Sequence, residues 1–281
     1  MNKEELTNYK ITTEEFNMMR ELIYERFGIC LSDQKQSMVA GRLQKVLRQL
    51  SFQSFTEYYH YLINDKSGGA LTEFINNIST NHTYFNRESA HFDFFSQKIL
   101  PEMIEDLRKR NEHDIRIWDA GCSSGEEAYM IMFLLFDFFA SKYQYWDCGL
   151  LATDISQRVL DFASKGIYMS DRLNKLPKRY LPQFFDRIDE NQWKVKPNVK
   201  KEILFRRFNL MSHVFPFKKK FHTIFCRNVM IYFDQPTRER IVSKFHQNIE
   251  RNGYLIIGLS ETLGRNNQWF HYIQPGVYLK K

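Results

Sequence analysis

A doubly wound α/β domain with a small inserted β-subdomain, preceded by a small all-α domain, is the fold class this sequence predicts. Three observations carry it. The first eighty residues show only helical periodicity, apolar strand-like runs then alternate with amphipathic helices, and one basic stretch interrupts that alternation. The chain has 281 residues, 43% hydrophobic and 26% charged, proportions that exclude disordered, collagen-like and fibrous classes.

Thr12 and Glu15 have capping-box spacing, and Phe16, Met19, Leu22, Ile23 and Phe27 follow on one helical stripe that stops at Gly28. Ser32 or Asp33 is expected to cap a second helix. Its Val39, Leu43, Val46, Leu47 and Leu50 would face inward, and Arg42, Lys45 and Arg48 would form an outward basic row. Ser54 and Glu57 repeat the capping-box spacing before Tyr58, Tyr59, Leu62 and Ile63. After a Ser67-Gly68-Gly69 loop come Leu71, Phe74, Ile75 and Ile78. Four short helices thus predict a bundle over residues 1–79. Residues 80–110 read as a linker with connecting helices, Pro101 suiting a helix first turn.

From residue 111 to 281 the grammar is α/β. Strands are expected at 115–118, 149–153, 221–226 and 254–259, and helices at 126–140, 156–164 and 237–250. Residues 166–201, rich in Lys, Arg and Pro, read as an inserted subdomain or hairpin turning at 189–192.

The 40 Lys plus Arg against 33 Asp plus Glu give a net charge of +7, an excess too spread out to point to nucleic acid by itself. Four scattered cysteines without a C-x-x-C pair, and eight histidines without an H-E-x-x-H, predict reduced thiols and no metal site. The most apolar stretch, 129–140, is shorter than the roughly 20 residues a bilayer needs, and Asp137 interrupts it. The N-terminal residues mix both charge signs around no apolar core, so no signal peptide, a cytoplasmic location and no membrane insertion are expected.

In open α/β sheets ligands bind beyond the carboxyl ends of the strands. After the first strand comes Asp119-Ala-Gly121-Cys-Ser-Ser-Gly125-Glu126-Glu127, which lacks the G-x-G-x-x-G spacing of dinucleotide folds. Acidic residues at the helix start disfavour a pyrophosphate and suit a cationic cofactor with ammonium and hydroxyl donors, as S-adenosylmethionine is. The alternative is a tight turn whose glutamates complement a helix dipole. Asp154 closes the second strand where ribose hydroxyls are commonly held; otherwise it is a helix N-cap, unless Ser156 caps and frees it.

Two further segments are Thr80-Asn81-His82-Thr83-Tyr84-Phe85-Asn86-Arg87-Glu88 and Phe225-Cys226-Arg227-Asn228-Val229-Met230-Ile231-Tyr232-Phe233-Asp234. With the Gly125-Glu126-Glu127 motif, they make the chain resemble the CheR family of chemoreceptor glutamate methyltransferases along almost its whole length. The resemblance implies a Rossmann-like, S-adenosylmethionine-dependent methyltransferase domain. It implies that Asn81, Thr83 and Arg87 reach the amino-acid end of the cofactor, that Glu127 and Glu126 hold its ammonium beside the Gly121 turn, and that Asp154 holds its ribose. Asn209 and Leu210 would lie on the adenine side, with Arg227 and Asn228 closing the pocket. Without the family context, Asn209 reads as a turn residue and Arg227 as a surface ion pair.

The implied reaction makes a γ-methyl ester on a receptor glutamate and leaves S-adenosylhomocysteine. A carboxylate with a pKa near about 4.3 is already ionised at neutral pH, so alignment and desolvation matter and base catalysis does not. Arg87 would steer the acceptor and the Tyr232 hydroxyl would orient it, unless Tyr232 is only a packed aromatic. The implied partners are the cytoplasmic methylation helices of chemoreceptors, met by Arg42, Lys45 and Arg48, a row that could equally be a solvated face. Some family members tether a receptor peptide on the insert by strand addition. The glycine-free turn Asp189-Glu-Asn-Gln192 favours recognition without the tether. Two rival readings remain. A nucleic-acid methyltransferase would be expected to show an N-P-P-Y-like segment where this chain has Arg227-Asn-Val-Met230, and a cofactor-binding signalling module would keep the fold without catalysis.

Overall fold

The structure, a computed structural model, describes residues 9–79, 81–265 and 267–281. The first residues read for a leader, and Thr80 of the linker motif, lie outside them. The chain divides into two units: one holds the described part of Met1–Thr80 with Tyr232–Asp234, the other Asn81–Ile231 with Gln235–Lys281.

The first unit contains α1 (Thr13–Phe27), a 3-10 turn (Asp33–Lys35), α2 (Gln36–Gln49), α3 (Phe55–Asn64) and α4 (Gly69–Ile78). The capping box of α1 is complete: Thr12 Oγ1 accepts from the Glu15 N–H at 3.1 Å and Glu15 Oε2 accepts from the Thr12 N–H at 3.0 Å. Its predicted stripe is buried. The box before α3 is one-sided, since Ser54 accepts from the Glu57 N–H while the Glu57 carboxylate turns back to the Gln53 N–H.

Three expectations are corrected in this unit. Neither Ser32 nor Asp33 caps α2, because the 3-10 turn intervenes and Lys35 takes the N-cap position. Leu50 is 48% exposed, since it is the C-cap residue and the helical stripe has already ended at Leu47. Arg42 is half-buried and donates to the carbonyls of Ile78 and Ser79. The end of α4 leaves carbonyls without intrahelical donors, and the guanidinium supplies them. Only Lys45 and Arg48 of the basic row are exposed. Within the same unit Phe233 bridges Ile29, the Cys30 N–H donates to the Tyr232 carbonyl at 2.8 Å, and the Tyr24 hydroxyl donates to Asp234 at 2.8 Å.

The second unit opens with α5 (Ser89–Phe94), which passes through a π turn (Phe95–Ile99) into α6 (Leu100–Lys109), with Pro101 in its first turn. Then come β1 (Asp114–Ala120), α7 (Glu126–Phe139), β2 (Asp147–Asp154) and α8 (Gln157–Lys165). Next are β3 (Ile167–Met169), α9 (Tyr180–Phe184), β4 (Phe185–Arg187), β5 (Gln192–Val195) and α10 (Pro197–Lys200). The unit ends with β6 (Ile203–Arg207), β7 (Phe221–Cys226), α11 (Gln235–Asn248), β8 (Ile249–Ile257), β9 (Phe270–Gln274) and β10 (Val277–Lys280).

The main sheet has the order β6-β2-β1-β7-β8-β10-β9, parallel from β6 to β8, with β10 antiparallel to both its neighbours. This is the predicted doubly wound class. The winding reverses between β1 and β7, which makes their carboxyl ends the crevice of the sheet. The insert is a separate three-stranded antiparallel sheet, β3-β5-β4, and so more than the single hairpin considered from sequence. Its turn falls where expected: Ile188 N–H donates to the Gln192 carbonyl at 2.9 Å, and the Asp189 carboxylate takes the N–H groups of Asn191 and Gln192. The sequence reading did not anticipate β9 and β10, and β8 begins at Ile249 instead of 254.

Two cores hold the sheet. Trp118 is fully buried among Phe208, Phe215, Phe217, Phe221 and Phe245, and its indole N–H donates to Thr153 Oγ1 at 2.9 Å. Phe225, on the neighbouring strand β7 opposite Asp119, packs against Phe92 and Phe95. Helix α7 is buried along most of its length, which explains the apolar stretch: a helix apolar all round belongs in an interior. No helix among the described residues is long and apolar enough to cross a membrane.

Thr12→Ala should remove one N–H acceptor and cost about 1 kcal/mol, the usual cost of a lost N-cap. Urea unfolding followed by far-UV circular dichroism checks this, and an unchanged midpoint would count against the cap.

Candidate functional site

The chain turn after β1 is shaped by what it must avoid. Gly121 has φ +112° and would place a Cβ 2.3 Å from a Val229 methyl, so only glycine fits there. The Gly121 and Cys122 N–H groups both donate to the Thr153 carbonyl, at 2.7 and 2.9 Å, which ties the turn to the end of β2. Ser123 reaches both ways: its N–H donates to Asp154 Oδ2 at 2.9 Å and its hydroxyl to the Asn81 carbonyl at 3.2 Å. The linker motif is thereby fastened to the glycine turn.

Asp154 is not freed by Ser156, contrary to one sequence expectation. Its Oδ1 accepts from the Ser156 N–H at 2.9 Å, because a carboxylate at a strand end lies nearest the first amides of the following helix. Each oxygen takes one backbone donor and keeps further acceptor capacity. Burial raises this carboxyl, and the N–H groups of Ser156, Ser123 and Ile155 oppose the rise. The Phe208 N–H donates to the Asp154 carbonyl at 3.0 Å, placing the following Asn209 and Leu210 beside the tip of β2. Asn209 Oδ1 accepts from the Met211 N–H, as a turn residue does, and Leu210 is buried.

The two adjacent glutamates of α7 part company. Glu127 Oε2 meets a terminal nitrogen of Arg227 at 2.5 Å. Glu126, expected beside it, has no exposed surface and spends its oxygens on the Ser124 hydroxyl at 2.6 Å and on Arg172 at 3.0 Å. The Tyr168 hydroxyl donates to the Ser124 carbonyl, so β3 and the turn after it brace the glycine loop through Glu126 and Ser124.

Arg227, read from sequence as a possible surface pair, is buried. Its other terminal nitrogen lies 3.2 Å from Glu88 Oε2 and also donates to the Arg87 carbonyl, and its guanidinium lies over the Phe92 ring at 5.0 Å. Glu88 Oε1 accepts from Asn228 Nδ2 at 3.1 Å. The Arg87 side chain donates to the His82 carbonyl at 2.9 Å and lies over Tyr84, while Thr83 is half-buried. Tyr232 belongs to the first unit.

Beside this ion pair lies Asp119. Neither of its carboxyl oxygens has a hydrogen-bond partner among the described residues. Burial first, then the Glu127 carboxylate, push Asp119 well above the ordinary carboxylate range. Burial also raises Glu127, against the pull of Arg227. Burial raises Glu88 too, but Arg227, Asn228 and the Leu259 N–H outweigh it and leave this carboxyl below its usual range. Asp119, Glu127 and Glu88 thus share the Arg227 guanidinium. Such a site is short of positive charge and rich in acceptors. Among the described residues no His/Cys/Asp/Glu group could hold a metal ion. The Asp119 carboxyl, which no donor satisfies, and the remaining acceptor capacity of Asp154 fit a cofactor that brings ammonium and hydroxyl donors.

Sequence reading missed Glu88 and Arg172 as parts of this site, and the burial of Asp119 beside Glu127. Glu88 stood inside the linker motif. Arg172 carried no local signal.

Family models match both units: "CheR methyltransferase, all-alpha domain" over residues 14–79 and "CheR methyltransferase, SAM binding domain" over 81–279. A chemotaxis protein methyltransferase of Borreliella burgdorferi is 43% identical over 273 residues, covering 97% of this chain and 96% of that protein. The chemotaxis protein methyltransferase of Escherichia coli (strain K12) is 34% identical, over 94% of this chain and 89% of that protein. Among solved structures, a glycopeptide N-methyltransferase complexed with S-adenosylmethionine covers 51% of this chain and 43% of that chain, at 12% identity and a TM-score of 0.32.

The raised acid makes stability depend on pH. The folded state keeps a proton on Asp119 that the unfolded chain, with an ordinary pKa of about 3.9, releases, so stability falls as pH rises from about 4 toward the raised folded value. Asp119→Asn should match the parent near pH 4 and melt at increasingly higher temperature than the parent toward pH 8. A constant offset across that range would deny the linkage.

Proposed function

The chain belongs to the CheR methyltransferase family, and from that premise we propose that it esterifies glutamate side chains of chemoreceptors with the methyl group of S-adenosylmethionine. The S-adenosylmethionine-binding domain and a methyltransferase activity in chemotaxis come with the family. The glutamate acceptor, the γ-methyl ester and the residue roles are our reading. The observation that carries it is the acceptor-rich tip of the sheet, where Asp119, Glu127 and Glu88 lie around the single guanidinium of Arg227 and Asp154 is held by backbone N–H groups.

The cofactor supplies a methyl group on a cationic sulfur. Glu127 holds its ammonium, with Asn81, Thr83 and Arg87 at the same end. Asp154 accepts from its ribose hydroxyls, Asn209 and Leu210 flank the adenine, and Arg227 with Asn228 closes the pocket. Glu126 acts through the loop it braces. No proton need be removed from the acceptor, since a glutamate is ionised at neutral pH. The work of the chain is therefore orientation and water exclusion. We assign Arg87 to steering the acceptor carboxylate and the Tyr232 hydroxyl to orienting it. The exposed Lys45 and Arg48 of α2 meet an acidic receptor helix, whereas Arg42 is occupied at the end of α4.

Methyl-labelled S-adenosylmethionine incubated with receptor-bearing membranes should give label that alkali releases as methanol. Alkali-stable label, or label on RNA, would sink ester formation and favour the rival substrates. Arg87→Ala should lower turnover at least about tenfold, the loss of one charge-assisted contact. Lys45→Glu with Arg48→Glu should raise the Michaelis constant for receptor several-fold and leave cofactor affinity as it was. An equal fall in cofactor affinity would remove α2 from docking.

A further inference from the structure

The reading above uses Arg227 and Asn228 but leaves open what holds them where they act. They lie in a short turn just past β7, and Asn228 has φ +59°, the left-handed region that asparagine enters more readily than most residues. Its N–H is held by a carboxylate from another part of the chain. Glu261 is 8% exposed. Its Oε2 accepts from the Asn228 N–H at 2.8 Å and from the Gly258 N–H at 2.6 Å, and its Oε1 accepts from the Ile231 N–H at 3.1 Å. One side chain thus gathers amides from the turn after β7 and from the turn after β8.

The closeness is built in on both sides. A Cβ on Gly258 would lie 2.5 Å from Asn228 Nδ2 and 2.9 Å from Glu261 Oε2, so any side chain there would displace both partners. The Glu261 N–H in turn donates to the Gly258 carbonyl at 2.9 Å, which turns the acid back toward the sheet. With its backbone fixed, the Asn228 side chain donates to Glu88, and the Leu259 N–H donates to the same glutamate.

We propose that Glu261 is a positioning residue for methyl transfer, clasping the tips of β7 and β8 so that Arg227 and Asn228 meet Glu88 and Glu127 in the geometry the cofactor requires. This rests on the cofactor reading given above. A charged acceptor is needed because three N–H donors converge on two oxygens. Glutamine has the same shape but would turn an NH2 group toward at least one of those donors, and aspartate is one methylene short of reaching both turns.

The test compares the full-length protein with Glu261→Gln and Glu261→Asp. The first readout needs no ligand: amide hydrogen exchange in the 226–231 and 257–261 segments should be slow in the parent and at least tenfold faster in both variants, with exchange in β1 and β2 unchanged. The second is calorimetric titration with S-adenosylhomocysteine, whose affinity should fall about tenfold in Glu261→Gln. The third is coupling. Asn228→Ala combined with Glu261→Gln should lose no more affinity than the worse single variant, because both remove the same positioning. Unchanged exchange in the two segments overturns the clasp, and additive losses overturn its link to Asn228. If the parent itself fails to bind S-adenosylhomocysteine, the cofactor reading falls and with it the proposed role, while the exchange result still decides the clasp.

Discussion

One buried guanidinium organises the end of the sheet where the chemistry belongs. Arg227 comes from the turn after β7, Glu127 from the start of α7 and Glu88 from the start of α5, and the ion pairs among them have side chains between 1% and 15% exposed. Removing one member of such a pair strands a charge in a poorly hydrated place, commonly at a cost of about 3–5 kcal/mol. The linker, the glycine loop and the central strands are therefore not independent. They meet at the point where the winding of the sheet reverses, and the reversal leaves a crevice for them to line.

Compensation within the cluster is uneven. Glu88 receives Arg227, Asn228 and the Leu259 N–H, and its carboxyl falls below the usual range. Glu127 touches the same guanidinium and still rises, because burial outweighs the pull of Arg227 and the contact with Asp119. The carboxyl groups at the β1 side of the pair are thus the hardest to ionise. A cation arriving there favours their charged form, which is why this arrangement accommodates a sulfonium donor with a free ammonium better than a pyrophosphate.

What the sequence disclosed follows a physical line. Elements whose signal is local were readable: the Thr12 and Glu15 cap, the largely apolar β7, the interior helix α7 and the carboxylates at strand tips. Features set by distant partners were not. The fate of Arg42 depends on the end of a helix more than thirty residues on, and the burial of Arg227 depends on residues a hundred or more positions earlier. The first strand of the insert, β3, is three residues long and pairs with β5 across a gap that no short-range pattern spans. The pair β9 and β10 had a cue of its own in the Pro275-Gly276 turn between aromatic-rich runs.

The brace between Arg172 and Glu126 bears on how separable the insert is. Its three strands form their own small sheet, which invites treating it as an exchangeable module. Yet Arg172 follows β3 directly, and its partner is a glutamate with no surface at all. Excising the insert, or grafting another in its place, would orphan that carboxylate at the base of the glycine loop. Variation in this family member's appendage is thus constrained at its root and free only toward its outer turn.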